Sequence, residues 1–369
     1  MDWVRGLAIG LALFSHCLLA VEGWEAIDDQ ADWLTVLRAA TRTATPTFIV
    51  LFGASIEFAY TRRWISDPST VVRRVLIRAL KCYWAAALIG LAALVGGSMT
   101  APGVVSGLLF TGSILNGNIY IFYTIAMVLV LALLPLRQRF GILPTLAITL
   151  LWWPVAALLS PPQGASEDLV FLMSRLLGIG DLFGPSVLHA LPLVVTGMAI
   201  GQWIKAPSSP EARWTVSIIA VACTVGLLTV VLVAGPVGAV RGFLSDFRPE
   251  NHPGYFLFGL FSVVVWLTLA RRVELHTRLL DRSRPGPFGG SALVSFTAGN
   301  IIINLFAAQV TIPNAYVAVV FSVGYLGALW WVLRTWSVLR ARRRESSSLA
   351  TQTTDPTGVV LSSPNIGER

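Results

Sequence analysis

Residues 3–21, Trp3-Val4-Arg5-Gly6-Leu7-Ala8-Ile9-Gly10-Leu11-Ala12-Leu13-Phe14-Ser15-His16-Cys17-Leu18-Leu19-Ala20-Val21, form one apolar run interrupted by an arginine and a histidine. A bilayer core is crossed by about 20 apolar residues of helix, and this run has that length. Nine further runs of the same kind follow: Ala44–Tyr60, Val75–Val95, Ile119–Leu136, Gly141–Ser160, Pro185–Ile204, Thr215–Gly235, Gly254–Ala270, Gly289–Val310 and Tyr316–Leu333. The expected fold is therefore all-α and polytopic, with about ten transmembrane helices. Val104–Leu115 is a further apolar stretch, too short to span and expected to be interfacial or re-entrant. Across the 369 residues, 55% are hydrophobic and 12% charged, against about 25% charged in soluble domains. The apolar residues gather in runs instead of recurring at helical or strand periodicity, which excludes a water-soluble globular chain.

Lysine and arginine in short loops set which side of a membrane stays cytoplasmic. With the N-terminus inside, the four inner loops hold thirteen: Arg62, Arg63, Arg73, Arg74, Arg137, Arg139, Lys205, Arg213, Arg271, Arg272, Arg278, Arg282 and Arg284. The outer loops hold five, Arg38, Arg42, Arg175, Arg241 and Arg248. Ten spans also place the cluster Arg340, Arg342, Arg343 and Arg344 inside, so both termini are expected to be cytoplasmic. This topology accounts for the net charge of +8 without a nucleic-acid partner.

Cys17, Cys82 and Cys223 lie in or beside apolar runs without close spacing, which supports neither a disulfide framework nor a metal site. The first run lacks a clean small-residue cleavage pattern and is read as a retained span. The outer loop Glu22–Thr43 is acidic (Glu22, Glu25, Asp28, Asp29, Asp32) and carries Trp24 and Trp33, a composition suited to an amphipathic interfacial helix. Residues 1–338 are read as the membrane domain and 339–369 as a basic, then disordered, cytoplasmic tail, because the segment from Glu345 is rich in Ser, Thr, Pro and Gly.

An ionisable residue inside a span is costly and marks a functional candidate. Arg5, His16, Glu57 and His189 qualify, with Asp2 at the mouth of the first span. Eleven helical steps of about 100° bring Arg5 and His16 to within about 20° of the same face. The helical rise separates them by about 16 Å along the axis. Asp2, three residues before Arg5, is in reach of its guanidinium. One helix thus offers an anion-binding group near the cytoplasmic face and, deeper along that face, a side chain that exchanges protons near neutral pH. Against this stand plainer roles, a snorkelling arginine and a histidine bonded to a neighbouring helix.

The opening Asp2-Trp3-Val4-Arg5-Gly6-Leu7-Ala8, with ten residues between Arg5 and His16, resembles the first helix of the acyltransferase-3 family of membrane acyltransferases. The wider superfamily, with its glucan-modifying and heparan-glucosaminide acetyltransferase branches, opens similarly. Pro46-Thr47-Phe48-Ile49-Val50-Leu51-Phe52-Gly53-Ala54-Ser55 looks like the family's aromatic-rich second-span segment. Many members carry a late Gly-x-x-Ser-Leu-x-x-Tyr stretch with a nearby histidine. The counterpart here, Gly289-Gly290-Ser291-Ala292-Leu293-Val294-Ser295-Phe296, lacks that histidine. The resemblance implies transfer of an acyl group, acetyl foremost, from cytoplasmic acyl-CoA to a hydroxyl of an extracytoplasmic carbohydrate or lipid-linked glycan in a bacterial cytoplasmic membrane. It assigns His16 as general base or transient acyl carrier and Arg5 as the group that holds the donor's phosphate or pantetheine. No bound cofactor is implied, since acyl-CoA is a co-substrate.

Glu57, near the cytoplasmic end of the second span, is expected to pair with Arg5, Arg62 or Arg63 or to support the donor site. Candidates for acceptor binding are His189, Asn118, Tyr120, Tyr123 and the polar segment Asp246–His252; interfacial packing would produce the same residues. A proton-coupled secondary transporter or lipid flippase, using His16 and Glu57, is the alternative class. No inverted repeat, the usual mark of such transporters, is visible. A third reading, a non-catalytic scaffold, leaves Arg5 and His16 unexplained.

Overall fold

The computed structural model describes residues 1–22, 33–180, 184–244, 247–277 and 287–353, and among these every regular element is helical. In chain order they are α1 (Asp2–Ala20), α2 (Trp33–Arg42), α3 (Ala44–Ile56), a π-helical turn (Glu57–Thr61) leading into α4 (Arg62–Ser66), α5 (Pro68–Val95), α6 (Ala101–Leu108) and α7 (Asn118–Phe140). Then come α8 (Ile142–Leu150), α9 (Trp152–Ala157), α10 (Glu167–Leu177), α11 (Val187–Lys205), α12 (Pro210–Leu244), α13 (Pro253–Thr277), α14 (Pro287–Gly290), α15 (Ala292–Phe306) and α16 (Ala315–Thr353). Local sequence explains several boundaries. Asp67 caps α5 by accepting from the Thr70 amide at 3.0 Å, with Pro68 in the first turn. Ser166 caps α10, which opens on Glu167 and Asp168 and closes on left-handed Gly178.

Among the described residues, seven helices are long and apolar enough to cross a membrane: α1, α5, α7, α11, α12, α13 and α16. The other three expected spans coincide with shorter pieces. Ala44–Tyr60 is α3 plus most of the π-helical turn, Gly141–Ser160 is divided into α8 and α9, and Gly289–Val310 holds the end of α14 and the 15-residue α15. The α8–α9 break falls at Leu151, and Pro154, which cannot supply an amide to an interior turn, lies in the first turn of α9. The short stretch after residue 100 forms α6, and α2 occupies part of the expected interfacial helix. Trp24, Glu25, Asp28, Asp29 and Asp32 lie outside the described residues, as do Asp246, Arg278, Arg282 and Arg284.

Two boundaries differ from expectation. α12 does not stop at Gly235; the backbone breaks there with φ 72°, a conformation suited to glycine, and helix resumes from Pro236 to Leu244. α16 continues to Thr353, into the segment from Glu345 that composition marks as disordered. Arg, Glu, Leu and Ala, all favourable helix formers, carry the helix across that junction.

α11 lies at the centre and is mostly buried, whereas α12 is almost wholly unburied and turns its side chains to where lipid would be. Ile49, Phe52, Phe122, Val194 and Phe256 form one apolar cluster around α3, α7, α11 and α13. A second, with Ile9, Leu13, Ile89, Phe296 and Ile303, joins α1, α5 and α15. Where α3 crosses α11 the backbones nearly touch. A Cβ on Gly53 would collide with the Val194 carbonyl, and one on Gly197 with the Val50 carbonyl. Small residues at helix crossings are how membrane helices gain dispersion contact without a hydrophobic drive between them.

Replacing Gly197 by Val should force these helices apart and cost at least about 1–3 kcal/mol, read as a lower melting temperature and loss of the monodisperse peak in detergent. Wild-type melting would contradict this packing.

Candidate active site

The first turn of α1 carries Asp2 and Arg5 as the i, i+3 spacing leads one to expect. Arg5 Nη1 donates to Asp2 Oδ1 at 3.0 Å, and Nη2 donates to Ser55 Oγ at 3.2 Å. Ser55 closes the second-span segment singled out in the sequence, and its hydroxyl donates to the Leu51 carbonyl at 2.8 Å. The guanidinium is thus tied to α3 while its side chain keeps 28% exposure, so it is oriented and still accessible. Pairs this exposed add little stability. Their value here is the fixed direction of a planar cation suited to phosphate.

His16 lies further along α1, against α15. Its Nδ1 is 2.6 Å from Asn300 Oδ1, and its ring is 5.8 Å, centroid to centroid, from Phe296. Asn300 is fully buried, and its Nδ2 donates to the Phe296 carbonyl at 2.9 Å. That bond turns the amide oxygen toward the imidazole, and an amide oxygen only accepts. Nδ1 therefore carries a proton, and in the neutral ring this leaves Nε2 as the acceptor, the tautomer a general base requires.

His16 also lines a cavity of about 550 Å³ at the end of the bundle where α1 terminates, a size usual for small-molecule sites. Its wall combines α1, α2, α3, the start of α7 and α15, together with Pro185 and Arg248 from loops. Hydroxyls and amides, including Ser15, Thr45, Ser98 and Asn116, alternate with Phe48 and Phe296.

Glu57 is buried, but its partner is not the expected Arg5, Arg62 or Arg63. Arg137 at the end of α7 grips it in a fork, Nε to Oε2 and Nη2 to Oε1, each 3.1 Å. Thr61 Oγ1 donates to Oε2 at 2.9 Å, and Lys205 Nζ to the Glu57 carbonyl at 2.5 Å. A π-helical turn begins at Glu57, and its extra residue shifts the face that the side chains after it take. Arg62 and Arg63 consequently point outward and are exposed.

Of the remaining candidates, Asn118 reaches the cavity wall. Its Oδ1 accepts from the Ile114 amide at 3.1 Å and from Arg175 Nη2 at 3.2 Å. Tyr120 and Tyr123 do not face the cavity. Tyr120 is buried and donates to the Leu293 carbonyl at 2.9 Å, and Tyr123 donates to the Phe48 carbonyl at 3.0 Å. Both hydroxyls satisfy carbonyls of neighbouring helices. His189 is likewise turned into the protein, with Nδ1 2.8 Å from Ser186 Oγ and its ring stacked on Trp153. In the segment before α13, Asn251 Oδ1 accepts from the Ser186 amide at 2.6 Å, His252 stacks on Phe247, and Arg248 alone joins the cavity wall. Burial lowers the His252 pKa below its ordinary value.

The geometry of α1 and α3 thus ties together the two segments whose sequence carries the family resemblance. A family model described as an acyltransferase domain, that of the acyltransferase-3 family, matches residues 1–281. The chain belongs to the acyltransferase-3 family. It is a multi-pass membrane protein and an O-acyltransferase. Comparison with curated proteins and with solved structures gives no match. The match ends before α15, so Asn300, which fixes the His16 tautomer, lies beyond it. Sequence reading also passed over Asn300. Its signal was the pair Asn300 and Asn304, four residues apart on one face of an otherwise apolar helix.

Glu57→Gln should destabilise the protein by about 3 kcal/mol, the cost of leaving a partly buried partner uncompensated. Glu57→Gln combined with Arg137→Gln should recover more than half of that loss in unfolding titrations, whereas additive losses would show that the two groups do not interact.

Proposed function

We propose that this acyltransferase moves an acyl group, acetyl foremost, from cytoplasmic acyl-CoA to a hydroxyl of an extracytoplasmic carbohydrate or lipid-linked glycan. The observation that carries the reading is the His16–Asn300 bond at the wall of the cavity. In this reading the chain crosses the cytoplasmic membrane ten times with both termini inside, which puts Arg5 at the cytoplasmic end of α1 and His16 toward the outer end. Seven long apolar helices and the excess of arginine in the inner loops support it.

Arg5, directed by Asp2 and Ser55, receives phosphate of the donor, whose flexible pantetheine arm carries the thioester toward His16. Nε2 of His16 takes the proton of the acceptor hydroxyl as its oxygen bonds to the thioester carbonyl carbon. Collapse of the tetrahedral intermediate breaks the carbon–sulfur bond; the ester stays on the acceptor and CoA departs, its thiolate taking up the proton. Asn300 holds Nδ1–H throughout, so the proton added at Nε2 creates an imidazolium already bonded on its other side. Glu57 with Arg137 is a support that fixes α3 against α7, away from the reacting atoms. Membership of an acyl-transferring family favours this chemistry over proton-coupled transport or lipid flipping.

Membranes supplied with radiolabelled acetyl-CoA test the reading at matched expression. His16→Ala should lower label transfer to envelope glycans and lipids by about 10²–10⁴-fold, the share of a general base. Asn300→Ala should lower it by about 10–100-fold, as when a histidine loses its orienting partner. Arg5→Ala should raise the KM for acetyl-CoA more than it lowers kcat. Full transfer by a folded His16→Ala protein contradicts the assignment.

A further inference from the structure

We infer that Asn116 is a catalytic residue: its side-chain amide donates to the thioester carbonyl oxygen as that oxygen takes on negative charge, one helical turn along α15 from the base His16. The role rests on the acyl-transfer reading. Addition of the acceptor hydroxyl to the thioester carbon leaves a negative charge on the carbonyl oxygen, and donors held ready for such a charge are often the largest single contribution to acyl transfer. Asn300 and Asn304 lie four residues apart on one face of α15, about 6 Å along its axis. Asn300 Oδ1 meets Nδ1 of His16 at 2.6 Å. Asn304 Nδ2 donates to the Ile89 and Leu115 carbonyls, each at 3.2 Å, so its Oδ1 is the acceptor for Asn116 Nδ2, at 2.7 Å. One helix face therefore holds the imidazole of α1 and the carboxamide of the segment before α7, and both line the same cavity.

A primary amide nitrogen carries two hydrogens and Asn304 takes one, which leaves the second for a ligand. Two groups held one helical turn apart suit a reacting centre that lies about 3 Å from each. Asn116 is buried and has φ 60°, in the left-handed region that asparagine enters more readily than most residues. Backbone held in such sparsely populated regions gathers at active sites. The Ser98 hydroxyl, on the same wall, is spent on the Ala93 carbonyl at 3.1 Å. As the acceptor oxygen bonds to the thioester carbon, the π electron pair of the carbonyl moves onto its oxygen, and the second Nδ2 hydrogen of Asn116 is donated to it. When the pair returns, the carbon–sulfur bond breaks and the thiolate leaves, taking up the proton held at Nε2 of His16. Such a bond is stronger to the oxyanion than to the neutral carbonyl, so it acts on kcat and little on KM.

Full-length protein in membranes, at matched expression, is assayed over a range of radiolabelled acetyl-CoA concentrations. Asn116→Gly removes the amide and leaves a residue at ease with the left-handed backbone. Its kcat should fall by about 10²–10³-fold, the share of one oxyanion donor, with the KM for acetyl-CoA and the melting temperature close to wild type. Asn116→Asp also tolerates this backbone and sets a carboxylate where the amide donates, so it should lose at least as much. Wild-type kcat in a folded Asn116→Gly protein, or a loss carried by KM alone, overturns the assignment, while transfer that still depends on His16 keeps the acyl-transfer reading standing. Failure of both variants to fold makes Asn116 a helix joint only and likewise overturns it. Equal transfer by wild type and His16→Ala overturns the acyl-transfer reading and the role of Asn116 with it.

Discussion

A polar group carried into an apolar interior costs several kcal/mol unless another group meets it, and the architecture of this protein follows from that constraint. His16 is met by Asn300, which joins α1 to α15. Glu57 is met by Arg137 and Thr61, which joins the end of α3 to the end of α7. Asn304 donates to the Ile89 and Leu115 carbonyls, each at 3.2 Å, and accepts from Asn116 at 2.7 Å, pinning α15 to α5 and to the chain before α7. Each pairing is a structural joint, and the first is also the centre of the proposed chemistry. The apolar clusters supply adhesion; these few directional bonds fix how the helices are rotated about their axes.

The division of labour along α1 is a second consequence. Arg5 is held by a carboxylate and a hydroxyl near the surface, where it stays accessible to a ligand. His16 is held by one buried amide at the edge of a cavity and can present only one nitrogen to it. One helix connects Arg5 with His16 near its opposite end, the arrangement that the proposed reaction, with donor and acceptor on opposite sides of a membrane, demands. α12, which buries little, has no part in either site and fits a lipid-facing position.

Much of this was legible in the chain itself. The apolar runs located most of the helices, and the sequence alone singled out Arg5 and His16 on the first of them. What escaped reading depended on tertiary partners. Arg137 counts as an inner-loop charge in sequence, yet in the fold it reaches back to Glu57, while the π-helical turn that begins at Glu57 alters the facing of Arg62 and Arg63. Tyr120 and Tyr123 have the composition of an interfacial belt or a sugar platform, but their helix register sends the hydroxyls to carbonyls of adjacent helices. Asn300 was hidden because asparagine in an apolar helix has no fixed role until its neighbour is known.

Sidedness tests the central claim most directly. Sealed inverted and right-side-out membrane vesicles carrying the protein are given radiolabelled acetyl-CoA, which does not cross the bilayer. The account predicts His16-dependent label only in inverted vesicles, on products enclosed in the lumen. Equal label in right-side-out vesicles, or label on acceptors facing the same side as the donor, would contradict it.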